Sequence, residues 1–147
     1  MKRFLKVILF CSAVAFFMCG CASIKKMMKP KVTRITDVSG YTSDVTHVRF
    51  SKIPQIKIDC GGARMEFQFH TLRSMKIDQQ RIKSIDGRLY FGAEIELNDG
   101  TAFGKSQEKG SCYVCSDNGL EGIISKSSYT VSFHKLNSFI VLDKDEE

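Results

Sequence analysis

Cys60, Cys112 and Cys115 are the residues of this chain whose chemistry depends most on what surrounds them. Three futures are open to them, the plainest being to stay reduced and buried as small hydrophobes. In an oxidising space a pair of them closes a disulfide, and three cysteines allow three single pairings with one thiol left over. If 112–115 is a strand, Cys112 and Cys115 point to opposite faces and cannot join each other. If it is a turn they can, and Asp117-Asn118-Gly119 directly afterwards favours a turn nearby. The expectation is Cys60 joined to one of the pair, or Cys112 joined to Cys115. The alternative is a metal. Cys112-Tyr113-Val114-Cys115 has the spacing of half a zinc site, and Cys60 with His70 or His134 could complete it. No second paired motif accompanies it, and no helix opens at the pair as a thioredoxin-type dithiol requires. Ser116 follows Cys115 where covalent haem attachment needs a histidine.

Other chemistry is thinly supplied. His47, His70 and His134 are the only histidines. No serine sits in a nucleophile-elbow context, and no glycine-rich loop suits a phosphate. Glu94 and Glu96 lie two apart on one strand face, the usual position of solvated surface carboxylates. The expectation is a non-catalytic protein with no cofactor beyond the covalent lipid argued below. Tyr41, Tyr90 and Tyr113 are the aromatic candidates for a contact surface.

The elements that must position these residues are strands. Leu89, Phe91, Ala93, Ile95 and Leu97 alternate with Tyr90, Gly92, Glu94 and Glu96. Asn98-Asp99-Gly100 then closes a turn into Thr101-Ala102-Phe103. Tyr129, Val131 and Phe133 alternate in the same way. Phe50, Phe67, Phe69, Phe91, Phe103, Phe133 and Phe139 all fall at inward positions, which assigns the phenylalanines to the core.

An internal repeat adds to this pattern. Phe69-His70-Thr71-Leu72-Arg73-Ser74-Met75-Lys76-Ile77 aligns without gaps with Phe133-His134-Lys135-Leu136-Asn137-Ser138-Phe139-Ile140-Val141. Phe50 to Asp59 is a fainter third copy. The unit predicts a strand, a one-turn 3₁₀ corner and a second strand. An SH3-like corner has this form. The fold class is therefore all-β, as a small antiparallel β-barrel or a two-sheet sandwich.

The chain of 147 residues carries a formal charge of +6, which is misleading. From Val32 onward 15 Lys and Arg face 16 Asp and Glu. The excess belongs to the first 31 residues, so the body does not suit nucleic acid. Met1 to Lys6 is basic, Val7 to Met18 is apolar, and Cys19-Gly20-Cys21 ends in small residues, the layout of a secretory signal peptide. An apolar run of that length is too short to span a bilayer, which takes about 20 residues.

Met18-Cys19-Gly20-Cys21 resembles the lipobox of bacterial lipoprotein precursors. Met18 and Cys19 depart from that family's commonest choices, and Gly20 fits. The resemblance implies cleavage before Cys21 and acylation of it, leaving 127 residues. It divides the chain into a signal peptide over 1–20, a lipid-anchored basic tether over 21–31, a single β domain over 32–142 and an acidic tail over 143–147. Three buried acyl chains, at about 0.8 kcal/mol per methylene, would make anchoring effectively permanent. Lys25, Lys26, Lys29 and Lys31 would lie beside anionic head groups, at about 1 kcal/mol each. Ala22 after the cysteine implies the outer membrane, facing the periplasm. The expected partners are the membrane and an envelope protein or glycan, with no nucleic acid. The expected role is binding or structural. The alternatives are a metal- or thiol-dependent protein using Cys112 and Cys115, or a carrier of a small apolar ligand.

Overall fold

The computed structural model describes residues 30–105 and 110–142. The signal segment, Cys21, the tether up to residue 29 and the acidic tail lie outside the described residues. Eleven strands follow one another: β1 (Val32–Asp37), β2 (Thr42–Phe50), β3 (Gln55–Cys60), β4 (Ala63–Gln68), β5 (Leu72–Ile85), β6 (Arg88–Leu97), β7 (Ala102–Phe103), β8 (Cys112–Cys115), β9 (Gly119–Ile124), β10 (Ser127–Ser132) and β11 (Leu136–Leu142). One-turn 3₁₀ corners at Phe69–Thr71 and Phe133–Lys135 precede β5 and β11.

The class is all-β and antiparallel. The strands form a single sheet in the order β10-β9-β2-β1-β11-β5-β6-β8-β3-β4, with β7 on β6. The expected barrel or pair of sheets gives way to one continuous sheet that does not close. The cause is the junction of β11 and β5, which pair at Ser138–Lys76, Phe139–Met75 and Ile140–Ser74. That pairing joins what would otherwise be two separate five-stranded units.

The sequence repeat extends far beyond its nine residues. Gln55–Cys60 and Gly119–Ile124 are both strands, Ala63–Gln68 and Ser127–Ser132 are both strands, and each pair is separated by a two-residue turn. Both turns have positive φ at both residues: Gly61 and Gly62 at 57° and 89°, Ser125 and Lys126 at 47° and 72°. That is the type I′ geometry that matches strand twist. In each corner the backbone N–H of the leucine donates to the phenylalanine carbonyl, Leu72 to Phe69 and Leu136 to Phe133.

The flanking hairpins correspond too. Phe139 of β11 faces Ile35 of β1, and its counterpart Met75 of β5 faces Ile95 of β6. Each ladder slips by one residue at the same place, skipping Asn137 in one and Arg73 in the other. Val38 N–H donates to Lys135 O at 3.0 Å, and Asn98 N–H donates to Thr71 O at 3.1 Å. The domain is thus two copies of one unit about a pseudo-two-fold axis through the facing pair Met75 and Phe139.

The copies are interlaced. The hairpin of β1 and β2 pairs with β11 and β9 of the second copy, while β6 and β8 pair with β5 and β3 of the first. Each five-stranded flank therefore contains strands from both copies. The disulfide flank is β5, β6, β8, β3 and β4; the other is β11, β1, β2, β9 and β10.

The core runs through both flanks. Phe133, Phe139, Leu72, Leu136, Ile35, Ile56, Ile58 and Leu120 are fully buried. Phe69 links the flanks, with its ring 5.5 Å from Phe50 and 5.3 Å from Phe139. Burying one such side chain contributes about 1.5–3 kcal/mol.

Two local expectations change. The third repeat copy makes a bend instead of a 3₁₀ turn, with Lys52 at φ 69°. Leu89 is exposed although it shares a face with Phe91. The cause is a large bulge in β5: Asp78 faces Gly92 and Ile82 faces Phe91, so Gln79, Gln80 and Arg81 have no partner on β6. The far end of the β5–β6 hairpin runs past the core and covers nothing there.

Candidate functional site

Register decides the cysteines. Cys60 of β3 sits directly opposite Cys112 of β8, with Cα atoms 4.1 Å apart, and the two form a disulfide. The turn at Gly61-Gly62 makes Cys60 and Ala63 the hydrogen-bonded closing pair of the β3–β4 hairpin. The backbone groups of Cys60 therefore face β4, and its pairing with Cys112 is of the close, non-hydrogen-bonded kind that brings side chains together. Residues 112–115 are a strand, so Cys115 lies on the opposite face, half-exposed and unbonded.

The alternative zinc set is not assembled. Two of its three sulfurs are in the disulfide and have no thiolate to offer. His134 packs edge-on against the Phe91 ring with centroids 5.6 Å apart, and His70 lines a cleft elsewhere. Among the described residues no three His, Cys, Asp or Glu side chains are grouped to hold a metal.

Cys115 does belong to a cleft. The outer face of the disulfide flank carries a hollow of about 550 Å³, within the size range of small-ligand pockets. The cross-strand register builds it. Tyr90 and Arg88 come from β6, with Tyr90 facing Cys115; Lys57 and Asp59 come from β3; Arg64 of β4 faces Asp59. Lys52 and Ile53 from the bend before β3 and Asp117 after β8 complete the wall.

Four cations and two carboxylates line this hollow. Lys57 pairs with Glu66 at 3.4 Å and Arg64 with Asp59 at 3.4 Å. Among the described residues Lys52 and Arg88 make no ion pair, and with Asp117 set against them one net positive charge is left to meet an anion. Beside the cleft Lys83 lies over the Tyr113 ring, 5.5 Å from its centroid.

Arg81 also lies on this face. Its guanidinium is held 3.0 Å from Asp78, and its side chain crosses Gly92 so closely that a Cβ there would collide with Arg81 Nε. For Asp78, burial alone would raise the pKa. The backbone N–H groups of Gln80 and Arg81 and the Arg81 charge outweigh it and hold the carboxyl below its ordinary 3.8.

The corresponding surface of the other flank is different. Its hollow of about 390 Å³ is lined by His47, Arg49, Glu121, Ile123, Ser128 and Thr130, among others, with one arginine and one carboxylate. Arg49 and Glu121 pair with each other.

A third hollow, of about 310 Å³, is mostly apolar. Val48, Phe69, Leu72 and Val141 line it, with His47 and His70 at its edge. On the disulfide flank the matching space is closed: Phe91 fills it against His134, and the Gln79 amide donates to Phe133 O at 2.7 Å and to Leu136 O at 2.9 Å.

Sequence periodicity separates Lys57, Asp59, Arg64, Arg88 and Tyr90 from the core, but it does not bring them together. Their only sequence signal is the alternation of each strand. No protein-family model matches the chain, and neither a curated protein nor a solved structure matches it significantly.

Proposed function

We propose that this protein is a lipid-anchored, non-catalytic binding protein of the bacterial cell envelope. It holds an anionic group, phosphate or carboxylate, in the cleft on the outer face of the disulfide flank. The observation that carries this reading is the asymmetry of two equivalent surfaces. One scaffold position gathers Lys52, Lys57, Arg64 and Arg88 around Tyr90, while its counterpart is almost neutral. Arg88 and Lys52 supply the charge-assisted hydrogen bonds, and the tyrosine ring offers an apolar face to the rest of the ligand. The address rests on Met18-Cys19-Gly20-Cys21, which resembles a lipobox, and on the lysines that follow it.

Two measurements test it. Purified protein is titrated with phosphorylated, carboxylated and neutral envelope saccharides. The anionic ones bind, the neutral ones do not, and Lys52→Ala with Arg88→Ala weakens binding by roughly tenfold or more. Equal affinity of the double variant and the parent refutes the cleft. Cys21→Ala moves the protein from the membrane to the soluble fraction, and unchanged fractionation refutes the anchor.

The apolar hollow at Phe69 supports a second reading, a carrier of a small apolar ligand. Lipid recovered with the purified protein, and lost in Leu72→Phe, would favour it over the first.

A further inference from the structure

Among the described residues the main path of the open sheet ends in two edges, β4 and β10, besides the two-residue β7 on β6. They are counterparts in the repeat, yet they are dressed oppositely. On β4 the outward positions are Arg64, Glu66 and Gln68; on β10 they are Ser128, Thr130 and Ser132. Natural sheets usually protect an edge with charge. Here β4 is charged and Ser127–Ser132 carries no charge at all.

The direction of the backbone groups follows from the turn. The type I′ turn at Ser125-Lys126 makes Ile124 and Ser127 the hydrogen-bonded closing pair. Alternation then turns the N–H and C=O of Tyr129 and Val131 toward β9, and those of Ser128, Thr130 and Ser132 to the open side. Gly119, which faces Ser132, agrees with this phase, because its carbonyl accepts from Ser51 N–H on the β2 side at 2.9 Å.

We propose that β10 is a self-pairing edge: two copies of this chain join through antiparallel Ser127–Ser132 strands about a two-fold at Thr130. In that register Thr130 faces its own copy, Ser128 faces Ser132 and Tyr129 faces Val131, so every cross-strand pair is uncharged and the outer-face pairs all bear hydroxyls. Such pairs are favourable. The same operation on β4 sets Glu66 against Glu66, and like charges directly opposite are unfavourable. The scaffold already contains such a junction, since β5 and β11 are equivalent strands paired antiparallel about a two-fold. A second copy is therefore the occupant that matches the geometry, with an isologous interface that closes on itself. The proposal does not depend on the anionic cleft or its ligand.

The test uses the full chain with Cys115→Ser, in the fraction where it is found. Thr130→Cys places two thiols opposite each other in a hydrogen-bonded pair, with Cβ atoms about 5.5 Å apart, too wide for an unstrained disulfide and within reach of a short bis-thiol cross-linker. The cross-linker gives a covalent dimer as the main product, and Glu66→Cys gives less than about a tenth as much. Equal yields from the two variants overturn the proposal. So does mixed cross-linking of Thr130→Cys with Glu66→Cys, which would mean head-to-tail addition of β10 to β4. Thr130→Pro removes the central outward N–H without touching the β9 ladder, and it converts the dimer to monomer in sedimentation with an unchanged circular dichroism spectrum. If that variant does not fold, Thr130→Lys serves instead. A folded variant of either kind that stays dimeric also overturns the proposal.

Discussion

The two flanks of the sheet use one backbone plan with different side chains, and the substitutions between them are informative position by position. The disulfide cysteines Cys60 and Cys112 have as their counterparts Ile124 and Val45, two apolar residues at the equivalent strand positions. A cross-link in one flank and apolar side chains in the other thus occupy the same joint between an edge hairpin and the inner sheet. Gly92 corresponds to Val32, and the missing side chain makes room for Arg81. Lys57, Arg64 and Glu66 correspond to Glu121, Ser128 and Thr130. The inner face stays apolar in both flanks although its side chains change, Ile58 to Gly122 and Phe67 to Val131 among them, whereas the outer face changes in charge. A change of charge on an exposed face over an inner face that stays apolar is what a binding role on one side would produce.

The corners give the largest expected effects. Phe133 is fully buried, whereas its counterpart Phe69 is half-buried and borders the apolar hollow. Phe133→Ala should cost about 3–5 kcal/mol, the range for emptying a tightly packed aromatic site. Phe69→Ala should cost clearly less. Denaturant melts of the two variants decide it, and equal losses would break the distinction between the packed corner and the one at the rim.

The joint comes next. Cys60 and Cys112 are 52 residues apart. Replacing both by alanine should cost roughly 2–4 kcal/mol through a freer unfolded chain. Cys60→Ile with Cys112→Val copies the other flank and should recover part of that loss as packing. A double variant no more stable than the alanine pair would show that the flanks do not share the joint.

A smaller effect is expected at Gly92→Val, which copies Val32 into the disulfide flank. The new side chain must push Arg81 off the strand, costing about 1–3 kcal/mol as overpacking does. In an Arg81→Ala background the same substitution should cost much less. Thermal melts of the four proteins measure the coupling.

The smallest effect is acid sensitivity. Asp78 is held below 3.8 in the folded chain, so its contribution is present at neutral pH and lost as pH falls through the lowered value. Asp37 on the other flank behaves alike, held down chiefly by the Ser39 hydroxyl and then by the Tyr41, Ser39 and Gly40 N–H groups. Stability should be level from about pH 7 to pH 5 and decline below about pH 4. Asp78→Asn should flatten part of that decline, and a variant as acid-sensitive as the parent would remove Asp78 from the account.

Much of this architecture is visible in the chain itself. Strand alternation marks Phe91, Ala93 and Ile95 as inward, and the shared Phe-His-x-Leu-x-Ser pattern marks both 3₁₀ corners. The periods involved are local, set by how a side chain alternates along a strand, so a sequence reveals them directly. The cleft is far less visible. Arg88, Lys57 and Arg64 come from three strands, and only their pairing brings them together.

The amino-acid sequence by itself determined the all-β class, the inward phenylalanines and the paired strand–corner–strand units. It left Cys60, Cys112 and Cys115 with several pairings, and the tertiary register chose Cys60 with Cys112. It also could not decide that the two copies interlace, or that their junction at Met75 and Phe139 makes one open sheet. The reason is physical: alternation fixes which face a residue occupies, whereas the neighbour of a strand edge is selected by long-range packing of the whole core.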